Sequence, residues 1–153
     1  MNESRIANRP VVMVDVSDKQ SQHRMSRASG KIYMKPETIH AIHENQVEKG
    51  NPLAVAQVAG ILAAKKVSEL IPLCHQIPLS NVDIRFFPAE NHILAECSCV
   101  SDAKTGVEME ALTAVNVALL TIWDMVKYLE KDKKGQYPHT RISDIIVIEK
   151  RKE

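Results

Sequence analysis

Between Thr105 and Lys127 the chain reads TGVEMEALTAVNVALLTIWDMVK, and no other stretch restricts its fold as strongly. A run of this length and apolar content forms a helix. On the helical period Glu110, Thr113, Val117, Thr121, Asp124 and Tyr128 fall in one narrow stripe, with Lys127 beside Asp124 at the i,i+3 spacing. The other faces are Ala, Val, Leu, Ile, Met and Trp. A helix apolar on nearly all sides needs cover on several of them, and an ionised carboxylate on it needs a partner or a task. On this segment alone a helix with one wet edge and a stripe of reacting groups stand level. The helical rise sets Glu110 and Asp124 roughly 21 Å apart along the axis, so within one chain they cannot serve one reacting atom. A chain of 153 residues has little mass to wrap such a helix and a second like it, and an oligomer is the expectation.

A formal net charge of +1 gives no reason to expect nucleic acid as a partner. The chain opens without the basic and apolar regions of a secretion signal. Glu108, Glu110, Asn116 and Asp124 interrupt the apolar stretch, which argues against a membrane span. Three cysteines, an odd number without framework spacing, suit a reducing compartment, so the expected setting is the cytoplasm.

Val11–Val16 reads as a short strand, and 18–30 is polar, basic and without period, so residues 1–30 read as a largely extended, mobile arm of a single domain spanning 1–153. A strand fits 31–35, and Pro36 opens a short helix closed by Gly50. Asn51 as N-cap and Pro52 at the first position start the next helix, with Leu53, Val55, Val58, Ile61, Leu62 and Val67 as its expected buried surface. Ala56, Gly60 and Ala64 repeat every four residues and leave a smooth ridge for close packing. Two alternating runs, 82–86 and 93–99, flank Pro88–Asn91 as a hairpin, and 142–149 supplies a last strand. With the 36–48 helix as an insertion, the order β, α, β, β, α, β predicts an α+β, ferredoxin-like split βαβ fold: an antiparallel sheet with helices packed on one face, plus a short extra helix.

The segment LIPLCHQIPLS joins the second helix to the hairpin, and its two prolines place Cys74 and His75 on a stiff loop. There an imidazole can bind a ligand or carry a proton, although a histidine bonded to backbone is the commoner fate. Cys97 and Cys99 share one face of a strand, and no zinc pattern is present, so no metal site is expected. Neither of the common glycine-rich phosphate loops occurs. Lys49-Gly50 and Lys104-Thr105-Gly106 each precede a helix N-terminus, an arrangement that favours a polyanionic ligand, and Arg24 and Arg27 lie in the basic stretch.

These motifs carry a resemblance. KGNPLAVAQVAGILAAKKVSELIPLCH, LIPLCHQIPLSNVDIRF, KTGVEMEALTAVNVALLTIWDMVK and the early MVDVS are similar to the MoaC family of molybdenum cofactor biosynthesis, from about Asp15 to Lys133. The resemblance implies a lyase that converts (8S)-3′,8-cyclo-7,8-dihydroguanosine 5′-triphosphate to cyclic pyranopterin monophosphate and diphosphate by acid/base catalysis. It implies a ferredoxin-like hexamer, a trimer of dimers, with the active site at a subunit interface. By position it assigns catalysis to Asp124, Lys49 and Lys127, and substrate contact to Leu73, Cys74, His75, Glu108, Met109, Glu110 and, from the arm, Arg24. No cofactor is obligatory, and Mg²⁺ could accompany the triphosphate; neither nucleic acid nor membrane is an expected partner. The chain departs from the family's commoner residues at Asn51, at Gln76 and in Tyr137-Pro138-His139-Thr140-Arg141, which stands in place of a glycine-rich tail. From the residues alone, a metabolite-binding regulatory module stays open. A metal-dependent phosphohydrolase would need carboxylates closer than Asp124 lies to Glu108 or Glu110.

Overall fold

The basic stretch that reads as an arm is the spine of the sheet. In the computed structural model, which describes residues 9–153, Gln22–Tyr33 forms strand β1. Helices α1 (Pro36–His43) and α2 (Pro52–Ala64), the single turn α3 (Val67–Leu70), strands β2 (Asn81–Pro88) and β3 (His92–Ala103), helix α4 (Glu108–Glu130) and strand β4 (Arg141–Lys152) follow in that order. The sheet order is β2-β3-β1-β4, and all three pairings are antiparallel. This is the ferredoxin-like α+β arrangement, with α1 and α3 as additions.

Strand β1 is central, pairing Met25 with Val100 of β3 and with Arg151 of β4. The reading of 18–30 as a mobile arm is therefore corrected from Gln22 onward. Its alternation is real but disguised, because the inward positions Ser26, Ala28 and Gly30 are small and only Ile32 is large. The segment Val11–Val16 is not a strand, and it is tied down at the Val14 carbonyl, with the Ser17 carbonyl held just beyond it, instead of through a ladder. Residues 1–8 of the expected arm lie outside the described residues.

Helix α4 lies across the sheet and against α2. Ala111, Ala114, Val115, Ala118, Leu119, Ile122 and Val126 are fully buried, facing a floor that includes Ala28, Ile32, Ile93, Ala95, Cys97 and Cys99. Each large side chain sealed there adds roughly 1.5–3 kcal/mol of transfer free energy. By length and composition α4 could cross a bilayer, but half of its apolar window is buried inside the fold, as in the core helix of a globular protein.

Helix α2 begins as its sequence dictates, the Asn51 side chain accepting from Leu53 N at 3.0 Å and Ala54 N at 3.2 Å. Its buried face is only partly the expected one: Leu53 and Ile61 pack against the core and Val67 is buried, but the other three large side chains are not. Ala56, Gly60, Ala63 and Ala64 are buried, whereas Val55, Val58 and Leu62 are 46%, 58% and 52% exposed. The small residues face inward because α4 comes very close: a Cβ at Gly60 would sit 2.9 Å from the Ala114 carbonyl oxygen. The ridge is an internal seam, and the larger side chains are left outside it.

At the far end of α4, Glu130 is fully buried yet satisfied. Its carboxylate accepts from Lys35 N at 3.1 Å, from Thr140 Oγ1 at 2.6 Å and from Thr38 Oγ1. One side chain thus ties the start of α1 and the entry to β4 to the end of α4.

Candidate functional site

The sequence-assigned residues gather at the two ends of α4. At its C-terminal end Asp124 stands between two ammonium groups, with Lys127 Nζ 2.8 Å from Oδ1 and Lys49 Nζ 3.2 Å from Oδ2. Lys49 also donates to the Asp124 main-chain oxygen at 3.1 Å. The i,i+3 spacing supplies the Lys127 contact, whereas Lys49 arrives from the loop between α1 and α2. That loop is held by the Glu48 N–H, which donates to the Tyr128 hydroxyl at 2.9 Å, and it turns at Gly50, whose φ is 103°. Lys49 therefore points at Asp124 and not at the N-terminus of α2.

All three side chains are 43–58% exposed, and pairs so open to water contribute little to stability. Their effect is on protonation. The hydrogen bond from Lys127, followed by that from Lys49, holds the Asp124 carboxyl below its ordinary range, and Asp124 in turn holds the Lys127 ammonium above its own. Lys127 is accordingly charged at neutral pH and suited to counter the charge of a phosphate, while its raised pKa makes it a weaker proton donor than a free lysine.

At the N-terminal end, a cavity of about 440 Å³ is lined by Leu73, Cys74, His75, Ile77, Glu108, Met109 and Glu110, with Val14, Val16 and Lys19 completing its wall. The loop 71–80 is fastened to β3 where Ser80 N donates to Val100 O at 2.8 Å and Ser101 Oγ donates to Pro78 O at 2.6 Å. His75 Nε2 lies 2.7 Å from Val14 O. A carbonyl only accepts, so Nε2 carries the proton and Nδ1 is the nitrogen left to receive one. Lys104 Nζ donates to Ser17 O at 2.8 Å, so two contacts fold the 14–19 segment over the cavity.

Glu110 is 3% exposed, and its Oε2 has no hydrogen-bond partner among the described residues. Burial, reinforced by the charge of Glu108, pushes its carboxyl above the ordinary range. Glu108 behaves oppositely: burial works to raise its carboxyl, but the hydrogen bond and charge of Lys150 prevail and hold it low. Burial also pushes the Cys74 thiol up, with Glu110 adding to the effect, so Cys74 is a thiol at neutral pH and not a nucleophilic thiolate.

Beside this cavity lies a second depression of about 610 Å³ that shares Lys19, Thr105, Gly106 and Glu108 with it and adds Arg24, Lys104, Lys150 and Lys152. Five cations and one carboxylate make it a basin for a polyanion. Arg24, expected on an arm, is on β1, where its Nε donates to Ala103 O at 3.0 Å and its guanidinium is held at the basin's edge. No group of three or more His, Cys, Asp or Glu side chains able to hold a metal ion occurs among the described residues.

Residues 13–153 match the family model described as the MoaC family. The chain belongs to the MoaC family. It is 56% identical over 153 residues, all of this chain and 98% of the relative, to a "Probable cyclic pyranopterin monophosphate synthase" of Pyrococcus furiosus. A protein of the same description from Saccharolobus solfataricus is 55% identical over 92% of this chain and 95% of its own length. A relative in Methanothermobacter thermautotrophicus, 54% identical over 93% of this chain and 89% of its own, is described as a "Probable cyclic pyranopterin monophosphate synthase accessory protein".

For this MoaC family member the fold joins Asp124, Lys49 and Lys127 in one cluster and Leu73, Cys74, His75, Met109 and Glu110 in another, with Glu108 and Arg24 at the basin. It does not join the two clusters within a chain. Sequence reasoning missed the part of 14–19 as a cavity wall and of Lys150 and Lys152 as basin walls. The MVDVS motif and the lysines trailing off the last strand were the available signals.

Proposed function

We propose that the protein is a cyclic pyranopterin monophosphate synthase of molybdenum cofactor biosynthesis, acting on (8S)-3′,8-cyclo-7,8-dihydroguanosine 5′-triphosphate and releasing diphosphate. The observation that carries this reading is the near full-length identity, 56% over 153 residues, to a relative so described. The geometry agrees with it. A triphosphate needs a dense set of cations, and Lys19, Arg24, Lys104, Lys150 and Lys152 surround one depression next to a cavity wide enough for a fused ring.

In this reading the reaction is of the lyase class and runs by acid and base catalysis. A sugar hydroxyl attacks the α-phosphorus, the bond to the bridging oxygen breaks, and diphosphate leaves into the basin. Lys127, kept charged by Asp124, donates protons or offsets phosphate charge, and Lys49 fixes Asp124 from the other side. His75 and Glu110 orient the ring system. No metal is obligatory, and Mg²⁺ would serve only as a companion of the triphosphate.

The two clusters sit at opposite ends of α4, roughly 21 Å apart along its axis, so a complete site takes one cluster from each of two chains. We therefore place the active site at a subunit interface of a cytoplasmic homohexamer, a trimer of dimers. Val55, Val58, Leu62 and Leu120 on the helices and Ile146, Val147 and Ile148 on the edge strand β4 are the exposed apolar side chains such an assembly would cover.

Incubation with the cyclised dihydroguanosine triphosphate, with and without chelator, tests the proposal. Equal amounts of cyclic pyranopterin monophosphate and diphosphate in both arms are the expected result. Product lost only with chelator makes a metal obligatory. Binding without product favours a non-catalytic module, the reading to which the accessory-protein relative lends weight.

A further inference from the structure

Helices α1 and α2 are joined by a connection whose ends are set by its own backbone. Asn45 stops α1 at a φ of 56°, its N–H donating to Ile42 O at 3.2 Å and the Gln46 N–H to Ala41 O at 2.9 Å, the pattern that ends a helix in the left-handed conformation. Val47 then enters the core, and Gly50 N donates to Val47 O at 3.0 Å, closing a turn with Glu48 and Lys49 at its centre. Asn51 caps α2 directly afterwards. Glu48, Lys49 and Gly50 are all exposed.

An exposed lysine on such a turn has a flexible four-carbon stem and much rotamer freedom to lose. Lys49 nonetheless reaches two oxygens of Asp124, Oδ2 at 3.2 Å and the main-chain carbonyl at 3.1 Å. The buried Val47 side chain gives the turn one point of attachment, about which it can still swivel. The second is the Glu48 N–H, which donates to the Tyr128 hydroxyl at 2.9 Å. Tyr128 stands one helical turn beyond Asp124 on the same face of α4, so the anchor of the turn and the target of Lys49 keep a spacing fixed by the helix itself.

We propose that Tyr128 is a positioning residue for Lys49: its hydroxyl holds the 47–50 turn against α4 and thereby directs the ammonium onto Asp124. This rests on the reading of Lys49 as a group of the active site. The contact to Glu48 is made by the phenolic oxygen, so Tyr128→Phe keeps the ring and deletes the acceptor. The charged groups that face Asp124 are Lys127 from its own helix and Lys49 from the turn. Lys127 does most to hold the Asp124 carboxyl low and Lys49 adds to it, so a released Lys49 lets Asp124 titrate at higher pH.

The test follows the Asp124 carboxyl and the exchange of the Glu48 amide by NMR in the full chain, comparing wild type, Tyr128→Phe, Lys49→Ala and the double variant. Tyr128→Phe should speed Glu48 exchange about tenfold and move the Asp124 titration to higher pH. In the Lys49→Ala background the same substitution should leave that titration where it is, since no ammonium remains to be released. In Tyr128→Phe kcat should fall about tenfold with KM within about threefold, as for a displaced group. An Asp124 titration unmoved by Tyr128→Phe overturns the proposal, because the hydroxyl would then brace the loop without steering the lysine. So does a shift of equal size in the Lys49→Ala background, which would mean that the phenol acts on Asp124 by another route, and so does an unchanged kcat in an active chain. The titrations and the exchange need no substrate: a chain that makes no product yet shows the coupled shift refutes the synthase reading and leaves the positioning standing.

Discussion

At the C-terminal end of α4 a carboxylate stands 58% exposed between two ammonium groups; at the N-terminal end another is 3% exposed with an oxygen that meets no donor. The contrast separates two uses of an acid. Asp124 is kept ionised by its neighbours, loses little by standing in water, and transmits its charge to Lys127. Glu110 is pushed toward the neutral form by burial, and its ionised form is costly until a ligand supplies the missing hydrogen bond. One end presents fixed cations, and the other presents a buried carboxyl whose burial favours its neutral form.

The sharpest way to break this division is to remove the charged cluster. Asp124→Ala and Lys127→Ala should each lower kcat by about a thousandfold or more while the assembly and its melting temperature persist, because exposed pairs hold little of the fold together. The double variant should lose little beyond the worse single one, since the residues act as a unit. Mixing chains then locates the second half of the site. Lys49 and Asp124 belong to one cluster, so an informative mixture pairs Asp124→Ala with His75→Ala. If each site draws on both ends of α4 from different chains, random co-assembly restores about a quarter of wild-type activity, because half the dimers are hybrid and one of their two sites is intact. Verified hybrids with no activity would show that each chain builds its own site.

A smaller effect should come from the basin, which belongs to the buried end but works by charge. Lys152→Ala and Lys104→Ala should raise KM about tenfold with a smaller change in kcat, and the penalty should shrink as salt rises from about 0.05 M to about 0.5 M. Lys150→Ala should differ from them. It also releases Glu108, whose carboxyl Lys150 holds low, so this variant should add a pH dependence of KM in the mildly acidic range, where Glu108 would now titrate. Identical behaviour of all three would mean that the Glu108 pair has no part in recognition.

What could be read in advance divides along the same line. The long helix, the hairpin and the Asn51 cap are written in local periodicity and capping chemistry, and Asp124 with Lys127 follows from the i,i+3 rule. Strand β1 was legible only at its end, as the strand read at 31–35; the rest was hidden because Ser26, Ala28 and Gly30 fill its inward positions, and period-two reasoning looks for large side chains. Half of the expected buried face of α2 was misassigned for a related reason. Hydrophobicity selects Val55, Val58 and Leu62, but the closeness of α4 selects Gly60 and the alanines. Lys49 at Asp124, Val14 at His75 and Thr140 at Glu130 join residues far apart in the chain, where no local pattern exists. Resemblance supplied the role of Lys49, and nothing in the sequence supplied the buried clamp at Glu130.

The smallest expected effect bears on the buried acid itself. Because folding raises the Glu110 pKa, its contribution to stability is fully present below the ordinary glutamate value and is lost as pH rises through the folded-state value. Glu110→Gln has the same shape and cannot ionise. Near pH 4 the variant and the wild type should therefore melt at about the same temperature, and near pH 8 the variant should be higher by a few degrees, provided the Gln amide finds acceptors in the cavity. The catalytic readout should run the other way, with weaker substrate binding, since an amide presents one acceptor oxygen where a carboxylate presents two. Ligand and mutation should also fail to add: saturating substrate analogue should stabilise the wild type more than the variant at pH 8, where it relieves the cost of the buried charge. A melting difference that stays constant from about pH 4 to about pH 8 would mean that Glu110 ionises alike in the folded and the unfolded chain, and the contrast between the two ends of α4 would reduce to one of exposure.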